Sequence, residues 1–518
     1  MMSLCLSSRS AISLLGGLLA CSSAHATNWL QFGFDQQHSG YNRTEKGYST
    51  AGNRQLYYVS QPTTADADSA LLTDVTTASG VKDLLFMVTS DANVRAIDLA
   101  DGSLVWSRVA SGSGSRTRSA PAIDPNLQFV YVAGLDGKIH KYKVGDGTEI
   151  LDANWPEISS LKPTVEQHSS ALSIATAADG SSYLYAVVNG FGDYGDYQGH
   201  ITAINLQTGT QRVFNTQCSD LTMHFVDKGT PRVDDCDLLG PTHDHGDGQM
   251  SGIWGRPGVV YDQQLDRIYA ATGNGLFNAN TAGGHEWGDS MLALHPDGGG
   301  AGMGWPLDSY TPASFDLLYG SDQDLGSTSP AILPSTSAKY PHLALQGGKD
   351  RCLRLINLDD MSGAGGPGHA GGELPLGGAC GGITLTEAVF MQPAVWVNPA
   401  DGTTWAFVPG WYGRLRALQL VVDSAGDVSL VERWTDFGDG SPVVANGMVY
   451  YLGEVRPQSS SRALAVSDAV TGQRIWTSNR GAGGPWQGPI VANGRIYYLQ
   501  DGVQAYLMDG IFRSNFQN

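Results

Sequence analysis

Short runs of alternating hydrophobic and polar residues, bounded by Gly, Pro, Asn or Asp, recur along most of the chain. Such runs predict half-buried β-strands, because successive side chains of a strand point to opposite faces of a sheet. Each copy begins with small residues, often Pro and Ala, and continues through a short loop into a strand that ends in aromatic residues. Eight copies begin near Ser69, Arg118, Ser169, Trp254, Thr328, Met391, Gly440 and Gln487.

A second signature closes each repeat, as in VRAIDLADGSLVW (Val94–Trp106) and RALAVSDAVTGQRIW (Arg462–Trp476). Its apolar alternation predicts two strands, and the Asp and Gly between them favour a tight turn. One such unit cannot bury its own apolar face, so neighbouring units must stack. The pattern predicts an all-β fold, an eight-bladed β-propeller of four-stranded antiparallel blades, with seven blades as the alternative.

The last repeat, Ile496–Met508, lacks its returning strand. We expect the strand-like segment Gln55–Gln61 to complete this blade and close the ring. Residues 27–518 then form a single domain. Extra residues enter the repeats at about 215–255, 275–327 and 359–386, and insertions of this kind are typical of a binding face.

The N-terminus resembles a targeting segment. Arg9 precedes an apolar run, and AHA at Ala24–Ala26 predicts a signal peptide over residues 1–26, cleaved before Thr27. A lipoprotein signal with acylation at Cys21 is the alternative. Both predict an exported protein, periplasmic or secreted, and no later apolar run is long enough to span a bilayer.

The formal net charge of −19 argues against nucleic acid or an anionic membrane surface as the partner. After the signal peptide four cysteines remain, Cys218, Cys236, Cys352 and Cys380. An even number in an exported chain indicates disulfides, for which three connectivities exist. We predict the two local pairs, Cys218–Cys236 and Cys352–Cys380. A metal thiolate site is the alternative, but no CxxC spacing supports it.

The turn signature and the segment from Trp254 to Gly299 resemble the pyrroloquinoline quinone (PQQ) dehydrogenases and their propeller relatives, the quinoprotein alcohol dehydrogenase-like superfamily. The resemblance implies that Trp254 forms the floor under a planar quinone. It implies that Asn274, in ATGN, binds calcium. It also implies that Lys349, in GGKDR, contacts the reacting quinone oxygens, and that Arg118 contacts a cofactor carboxylate.

The chain also departs from this family. It lacks the two adjacent cysteines above the quinone, and it has no CxxCH for a c-type haem. The position of the family's calcium-binding Glu holds Tyr194, with Asp193 and Asp196 as the candidate substitutes. The position of the catalytic Asp falls near Tyr319, so the candidate general bases lie beside it, above all Asp322 and Asp324.

Each of these residues also has a structural interpretation. Trp254 could be a core aromatic between blades, Asn274 a turn residue, Lys349 a solvated loop charge, and Arg118 a partner of a surface Asp. A further metal-like motif, THDHGDG at Thr242–Gly248, lies in an insertion, where we expect an exposed polar loop.

The resemblance implies PQQ- and calcium-dependent oxidation of an alcohol or polyol, small or polymeric, with electrons passed to a separate soluble acceptor. The alternative from another class is a non-catalytic propeller that binds a protein or glycan through its inserted loops. A hydrolase or lyase on the same scaffold ranks last, because no nucleophile motif is present.

Overall fold

The structure, a computed structural model of the 518-residue chain, describes residues 26–46, 48–60, 67–192, 195, 197–226, 250–454, 462–482, 486–499 and 502–510. Its described secondary structure is almost entirely β, with one short helix, α1 (Phe315–Gly320), and a 3-10 turn at Leu325–Ser327. The strands form four-stranded antiparallel units that follow one another along the chain.

The N-terminal strands β1 (Tyr41–Asn42) and β2 (Tyr48–Ser60) join sheets formed late in the chain. Sheets 1 to 4 then form in sequence order. Sheet 1 contains β3 (Ala70–Thr77), β4 (Gly80–Val88), β5 (Asn93–Asp98) and β6 (Leu104–Val109); sheet 2 contains β7 (Ala122–Ile123), β8 (Phe129–Ala133), β9 (Lys138–Lys143) and β10 (Glu157–Ile158). Sheet 3 contains β12 (Ser173–Thr176), β13 (Ser182–Val187), β15 (His200–Asn205) and β16 (Gln211–Asn215), beside the separate pair β11 (Glu166–Gln167) and β14 (Asn189–Gly190); sheet 4 contains β17 (Val260–Asp262), β18 (Arg267–Ala271), β19 (Met291–Leu294) and β20 (Asp308–Tyr310).

Sheets 5 to 8 continue the order. Sheet 5 contains β21 (Ala331–Pro334), β22 (His342–Gln346), β23 (Cys352–Asn357) and β24 (Ile383–Thr384). The long strand β28 (Val428–Ala445) pairs first with β27 (Arg414–Val422) and then with β29 (Met448–Glu454), so it completes sheet 6 and begins sheet 7. Sheet 6 opens with β25 (Ala394–Val397), β26 (Thr404–Pro409) and β27 (Arg414–Val422); sheet 7 continues with β29 (Met448–Glu454), β30 (Arg462–Asp468) and β31 (Arg474–Ala482); sheet 8 contains β32 (Ile490–Ala492), β33 (Arg495–Leu499) and β34 (Gly502–Gly510).

Strand β2 pairs antiparallel with β34 as the fourth strand of sheet 8. The predicted pairing of the Gln55–Gln61 region with the last repeat is therefore present, through residue Ser60. The region predicted as an insertion at 275–327 includes β19 and β20, so its extra residues lie on both sides of these strands. The extra residues near 359–386 include β24 at their end.

The Asp-to-Gly turn signature forms the tight turns that it predicts. Between β5 and β6, the N–H of Gly102 donates to the carbonyl of Asp98 at 2.8 Å, and the Asp98 side chain accepts from the Ala100 N–H at 2.9 Å. Gly102 has a φ of +79°, which a residue with a Cβ rarely adopts. The turn therefore requires both the short acceptor of Asp and the freedom of Gly.

Buried aliphatic and aromatic side chains join each sheet to its neighbour. Val88 of sheet 1 shares a core cluster with Val132 of sheet 2, and the later clusters join the following sheets in order. One further cluster contains residues of sheets 1, 7 and 8, including Leu85, Tyr450 and Ile496. The first sheet therefore shares a hydrophobic core with the last two sheets of the chain.

The N-terminal segment, residues 27–45, contacts the first strands of many sheets. Its backbone exchanges hydrogen bonds with Leu71 of β3 at 2.7 and 2.8 Å. The segment also accepts hydrogen bonds from backbone N–H groups of five more sheets. Four of these bonds end on its backbone carbonyls, and the one from Ile174 ends on the Gln31 side chain. The donors are Ile123, Ile174, Tyr261, Val395 and Val444. Asn42 donates to the carbonyl of Val491 in β32 at 2.7 Å. A segment of this length spans at most about 65 Å when fully extended, so the seven first strands all lie close to one short stretch of chain.

Among the described residues, no helix is both long and apolar enough to cross a membrane. The disulfide Cys352–Cys380 is present, as predicted, and connects β23 to the glycine-rich loop before β24. Cys218 is disulfide-bonded, and its predicted partner Cys236 lies outside the described residues.

Candidate functional site

A central cavity of about 210 Å³ of solvent-accessible space lies where the loops before several first strands meet. Four residues singled out in the sequence line it together: Arg118, Trp254, Asp324 and Lys349. They come from the loops before β7 and β17, from the segment before β21 and from the turn after β22. The rest of the lining is Gln167, Ser169, Gly192, Arg256, Ser327, Phe390 and Trp486.

Trp254 is half-buried at the cavity wall, and two glycines allow its position. A Cβ on Gly273 would lie 2.8 Å from Cδ1 of the indole, and a Cβ on Gly252 would lie 3.0 Å from its Nε1. Tyr197 meets the ring edge-on, with centroids 6.1 Å apart and planes at 78°. The turns at Gly252 and Gly273 therefore pack against the indole, and the indole also lines the cavity. This arrangement suits stacking on a flat ligand.

Asn274 is buried next to Gly273, the glycine that leaves room for the Trp254 indole, and it does not itself line the cavity. Its side-chain Nδ2 donates to Asp289 Oδ2 at 3.1 Å and to the Leu318 carbonyl at 2.9 Å, which fixes the orientation of the amide. Its Oδ1 is buried without a hydrogen-bond partner among the described residues. A buried acceptor without a partner is costly, and an amide oxygen is a suitable ligand for a hard cation such as calcium.

Asp324 lies next to Asn274 at the edge of the cavity. Its Oδ1 accepts the Asn274 backbone N–H at 2.8 Å, and a Cβ on Gly273 would lie only 2.5 Å from the same oxygen. Its side chain is 15% exposed. Burial raises the pKa of Asp324, although the Asn274 N–H and the Lys349 ammonium act in the opposite direction. A carboxylate with a raised pKa is a better proton acceptor than an ordinary one.

Lys349 bridges the two candidate carboxylates. The side-chain Nζ lies 2.5 Å from Asp322 Oδ1 and 3.5 Å from Asp324 Oδ2. The backbone N–H of Lys349 donates to the backbone carbonyl of Asp324 at 2.9 Å. Burial alone would lower the pKa of Lys349, but the hydrogen bonds and charges of the two carboxylates raise it above its ordinary value. The side chain therefore stays protonated and keeps a positive charge at the cavity.

Asp322 differs from Asp324, although both belong to the motif SDQD. The Asp322 side chain is 58% exposed and its backbone is left-handed, with a φ of +53°. It holds Lys349 from the outside and does not line the cavity. Of the two candidate bases, only Asp324 lies where a cavity ligand could reach it.

Two further residues of the site were not predicted from the sequence. Arg256, which is 5% exposed, donates to the Ser169 carbonyl at 2.9 Å and to the Trp486 carbonyl at 2.8 Å, so it connects the loops before sheets 3 and 8. Asp289, 1% exposed, accepts the Leu325 N–H at 3.0 Å and binds Asn274. Burial raises the pKa of Asp289 well above its usual range, and the nearby Asp324 carboxylate adds to the effect.

Both residues left a signal in the sequence. Arg256 follows Trp254 by two positions, in the turn that leads into β17. Asp289 belongs to the Gly-Asp turn of WGDS, directly before β19. In each case the pattern was visible, but only the fold shows which face points toward the site.

Several predicted residues cannot be placed. Asp193, Asp196 and Tyr194 lie outside the described residues, as does most of the insertion with the motif Thr242–Gly248. Tyr319 lies in α1, half-buried, and does not line the cavity. In the part of the chain that the structure describes, no group of three or more His, Cys, Asp or Glu side chains is arranged to hold a metal ion.

Comparisons with known proteins agree with this architecture. Residues 48–235 match the family model described as outer membrane protein assembly factor BamB. No curated protein matches the chain. A europium-containing methanol dehydrogenase is 16% identical, with a TM-score of 0.59 over 91% of this chain and 89% of its own.

Two quinohemoprotein alcohol dehydrogenases are similar to the same extent. That of Pseudomonas putida HK5 is 13% identical, with a TM-score of 0.56 over 93% of this chain and 80% of its own. That of Comamonas testosteroni is 14% identical, with a TM-score of 0.56 over 93% and 81%. Such identities establish likeness of fold and leave function to the site itself. The chain therefore has the quinoprotein alcohol dehydrogenase-like β-propeller fold.

Proposed function

We propose that the chain is an exported, closed eight-bladed propeller that oxidises an alcohol with PQQ and calcium bound in the central cavity. The observation that carries this proposal is the meeting of Trp254, Asp324 and Lys349 in one cavity, with Asn274 Oδ1 buried and unpartnered beside them. These residues come from two successive repeats, and each matches a different requirement of the same chemistry.

Ring closure is supported by two independent features. The first sheet shares a core cluster with sheets 7 and 8, and β2 completes sheet 8. The N-terminal segment contacts the first strands of seven sheets, as a segment on the axis of a ring would. Export is supported by the disulfide Cys352–Cys380, since disulfides persist in oxidising compartments.

The cavity residues fit a planar, polyanionic cofactor. Arg118, Arg256 and Lys349 supply three cationic side chains, and guanidinium groups suit carboxylates. Trp254 would lie under the ring system, and Asn274 would offer its Oδ1 to calcium. When bound, PQQ supplies the electron-accepting quinone and calcium supplies a Lewis acid.

The chain's own residues would then act on protons and charge. Asp324, with its raised pKa, takes the proton of the substrate hydroxyl at a carboxylate oxygen. Lys349 stays protonated and stabilises the negative charge that develops in the cavity. Asp322 holds Lys349 from the solvent side. Because the chain has no CxxCH, the electrons leave to a separate acceptor.

The test is reconstitution of the purified protein with PQQ and calcium. We expect quenching of tryptophan fluorescence on PQQ binding and reduction of an artificial dye with a panel of alcohols. The variant Trp254→Ala should weaken PQQ binding. Trp434→Ala is the matched control, since Trp434 is also half-buried but donates to the Ala469 carbonyl between sheets 6 and 7. Equal losses in both variants would contradict the assignment of Trp254.

The second candidate function is a non-catalytic scaffold that binds a protein or glycan. It is favoured by the match of residues 48–235 to the assembly-factor family and by the lack of adjacent cysteines. The same experiment separates the two functions. A protein that folds but binds no PQQ at micromolar concentration would be a scaffold.

A further inference from the structure

A second cavity, of about 300 Å³ of solvent-accessible space, lies at the other ends of strands that begin near the central cavity. In sheet 4, Trp254 precedes β17 and lines the central cavity, whereas Gln263 directly follows β17 and lines the second cavity. Sheets 2 and 3 repeat this order, with Pro125 two residues after β7 and Thr176 at the end of β12. We call the second cavity the polar pocket. It is a separate site, to which neither the repeat pattern nor the family resemblance assigns a role.

The polar pocket is built by a closed loop of the N-terminal segment, from Gly33 to Gly40. The Gly40 N–H donates to the Gly33 carbonyl at 2.9 Å and closes this loop. Gln36, at its tip, accepts the Thr176 N–H at its side-chain Oε1 at 2.8 Å and the Tyr261 N–H at its backbone carbonyl at 3.1 Å. The loop is therefore fixed to sheets 3 and 4, and the residues at its tip line the pocket.

Phe34 of this loop occupies a conformation that needs a reason. Its φ is +79°, a left-handed value that is unfavourable for a bulky residue. The ring is partly exposed, lines the pocket, and meets the Trp29 ring with centroids 5.1 Å apart. Strained residues of this kind cluster at binding sites. With Leu30 and Pro125, Phe34 gives the pocket an apolar wall.

The polar side chains of the pocket have unused hydrogen-bonding groups. Within the described part of the chain, the side-chain amides of Gln37 and Gln263 form no hydrogen bond, and the Gln36 amide uses only its oxygen. Arg43 donates from Nη2 to Asp35 Oδ2 at 2.7 Å, and its side chain is 56% exposed. Because Asp35 balances the charge of Arg43, the pocket offers several donors and acceptors without a net charge.

This combination defines the chemistry of a ligand. A primary amide both donates and accepts, as a hydroxyl group does, so neighbouring amides suit a compound with several hydroxyls. An apolar wall suits the C–H face of a ring, and the balanced charges disfavour an ionic ligand. The volume lies at the lower end of small-molecule sites, about 300–1,000 Å³.

We infer that the polar pocket binds a neutral pyranose sugar, with the ring against Phe34 and the hydroxyls on the amides of Gln37 and Gln263. This binding does not depend on the proposed oxidation, since it uses no residue of the central cavity.

The experiment titrates the purified protein by calorimetry with the methyl pyranosides of glucose, galactose and N-acetylglucosamine, and with glucuronate as the charged counterpart. We expect at least one methyl pyranoside to bind at millimolar concentration and glucuronate not to bind. Gln263→Ala should weaken binding about threefold to tenfold, the size of one net hydrogen bond. The matched control is Gln264→Ala, since Gln264 is the next residue, is also exposed, and does not line the pocket.

A second pair of variants tests the apolar wall. Phe34→Gly should weaken binding by a similar factor, and glycine suits the left-handed backbone. Its control is Leu127→Gly, since Leu127 is 39% exposed with a φ of +60° and does not line the polar pocket. Equal losses of affinity within either pair would overturn the placement of the sugar in this pocket.

The same titrations separate this inference from the proposed function. The Kd of the pyranoside should be unchanged in Trp254→Ala and in protein loaded with PQQ. A Kd that changes in Trp254→Ala but not in Gln263→Ala would place the sugar in the central cavity and overturn the inference. Tighter binding of glucuronate, or no binding of any of the three pyranosides, would also overturn it. Pyranoside binding in a protein that binds no PQQ would support the polar pocket and count against the oxidation proposal alone.

Discussion

The two sides of the central cavity differ in how their residues lie along the chain. The side with Trp254, Asn274, Asp324 and Lys349 comes from sheets 4 and 5, which are neighbours in sequence. The other side, with Phe390 and Trp486, comes from the loops before sheets 6 and 8. The first side holds charges and an unpartnered amide oxygen, and the second holds rings. The residues of the proposed chemistry are thus close together in the sequence, whereas the shape of the cavity depends on the assembly of distant repeats.

The largest effect should come from the carboxylate on the chemical side. Asp324→Asn keeps the shape and removes the proton acceptor, so we expect kcat to fall about 10²–10⁴-fold. Asp322→Asn, in the same motif but exposed, should change kcat less than tenfold. Rate measurements on both reconstituted variants check this. If kcat fell further in Asp322→Asn than in Asp324→Asn, Asp322 and not Asp324 would be the general base.

Next in size is the loss of the cation at the cavity. Lys349→Ala should lower kcat about 10²–10³-fold, because a fixed charge near the reacting oxygen is lost from a partly buried site. Lys339→Ala is the matched control. Lys339 also pairs with an aspartate, Asp427, at 2.6 Å, but both side chains are about half exposed on the outside of the fold. If kcat fell by the same factor in both variants, Lys349 would have no specific role in the proposed mechanism.

The strands and turns could be predicted from the sequence because their causes are local. Alternation fixes the strand faces, and Asp with Gly fixes turns such as Asp98–Gly102. The pairing of β2 with β34 followed from a missing strand in the last repeat. The N-terminal segment was missed, because its hydrogen bonds go to seven different strands and impose no period on residues 27–45.

The site shows the same division. Trp254, Asp324 and Lys349 could be named because each lies in a short motif of its own. Arg256 could not, since its role comes from two carbonyl groups, Ser169 and Trp486, that are distant in sequence. Phe390 and Trp486 were missed as well, because they meet at the cavity only through the assembly of sheets 6 and 8.

The N-terminal segment forms hydrogen bonds with the first strands of sheets 4, 6 and 8, whose preceding loops line the cavity, and one glycine tests how tightly it packs. Gly40 has a φ of +66°, and a Cβ there would lie 2.9 Å from the Pro442 carbonyl oxygen and 3.0 Å from Ala394 Cβ. Gly447 has a φ of +72° with nothing within 4 Å. Both alanine variants carry the same backbone strain, so Gly40→Ala should be less stable than Gly447→Ala by about 1–3 kcal/mol of overcrowding. Denaturant unfolding measures the difference in the free energy of unfolding between the two variants. Equal values would show that the N-terminal segment shifts to accommodate the added methyl group.

The smallest expected effect is a shift in the pH dependence of activity. It distinguishes the charged side of the cavity from the aromatic side most directly. Asp324 must be ionised to accept a proton, and burial raises its pKa. Activity should therefore fall, as the pH is lowered, at a higher pH than for an ordinary aspartate. The acidic limb of kcat/KM should disappear in the residual activity of Asp324→Asn. It should stay in place in Trp486→Ala, which changes the aromatic side alone. A limb that shifts in Trp486→Ala would mean that the ring, and not only the chemical side, sets the environment of the carboxylate.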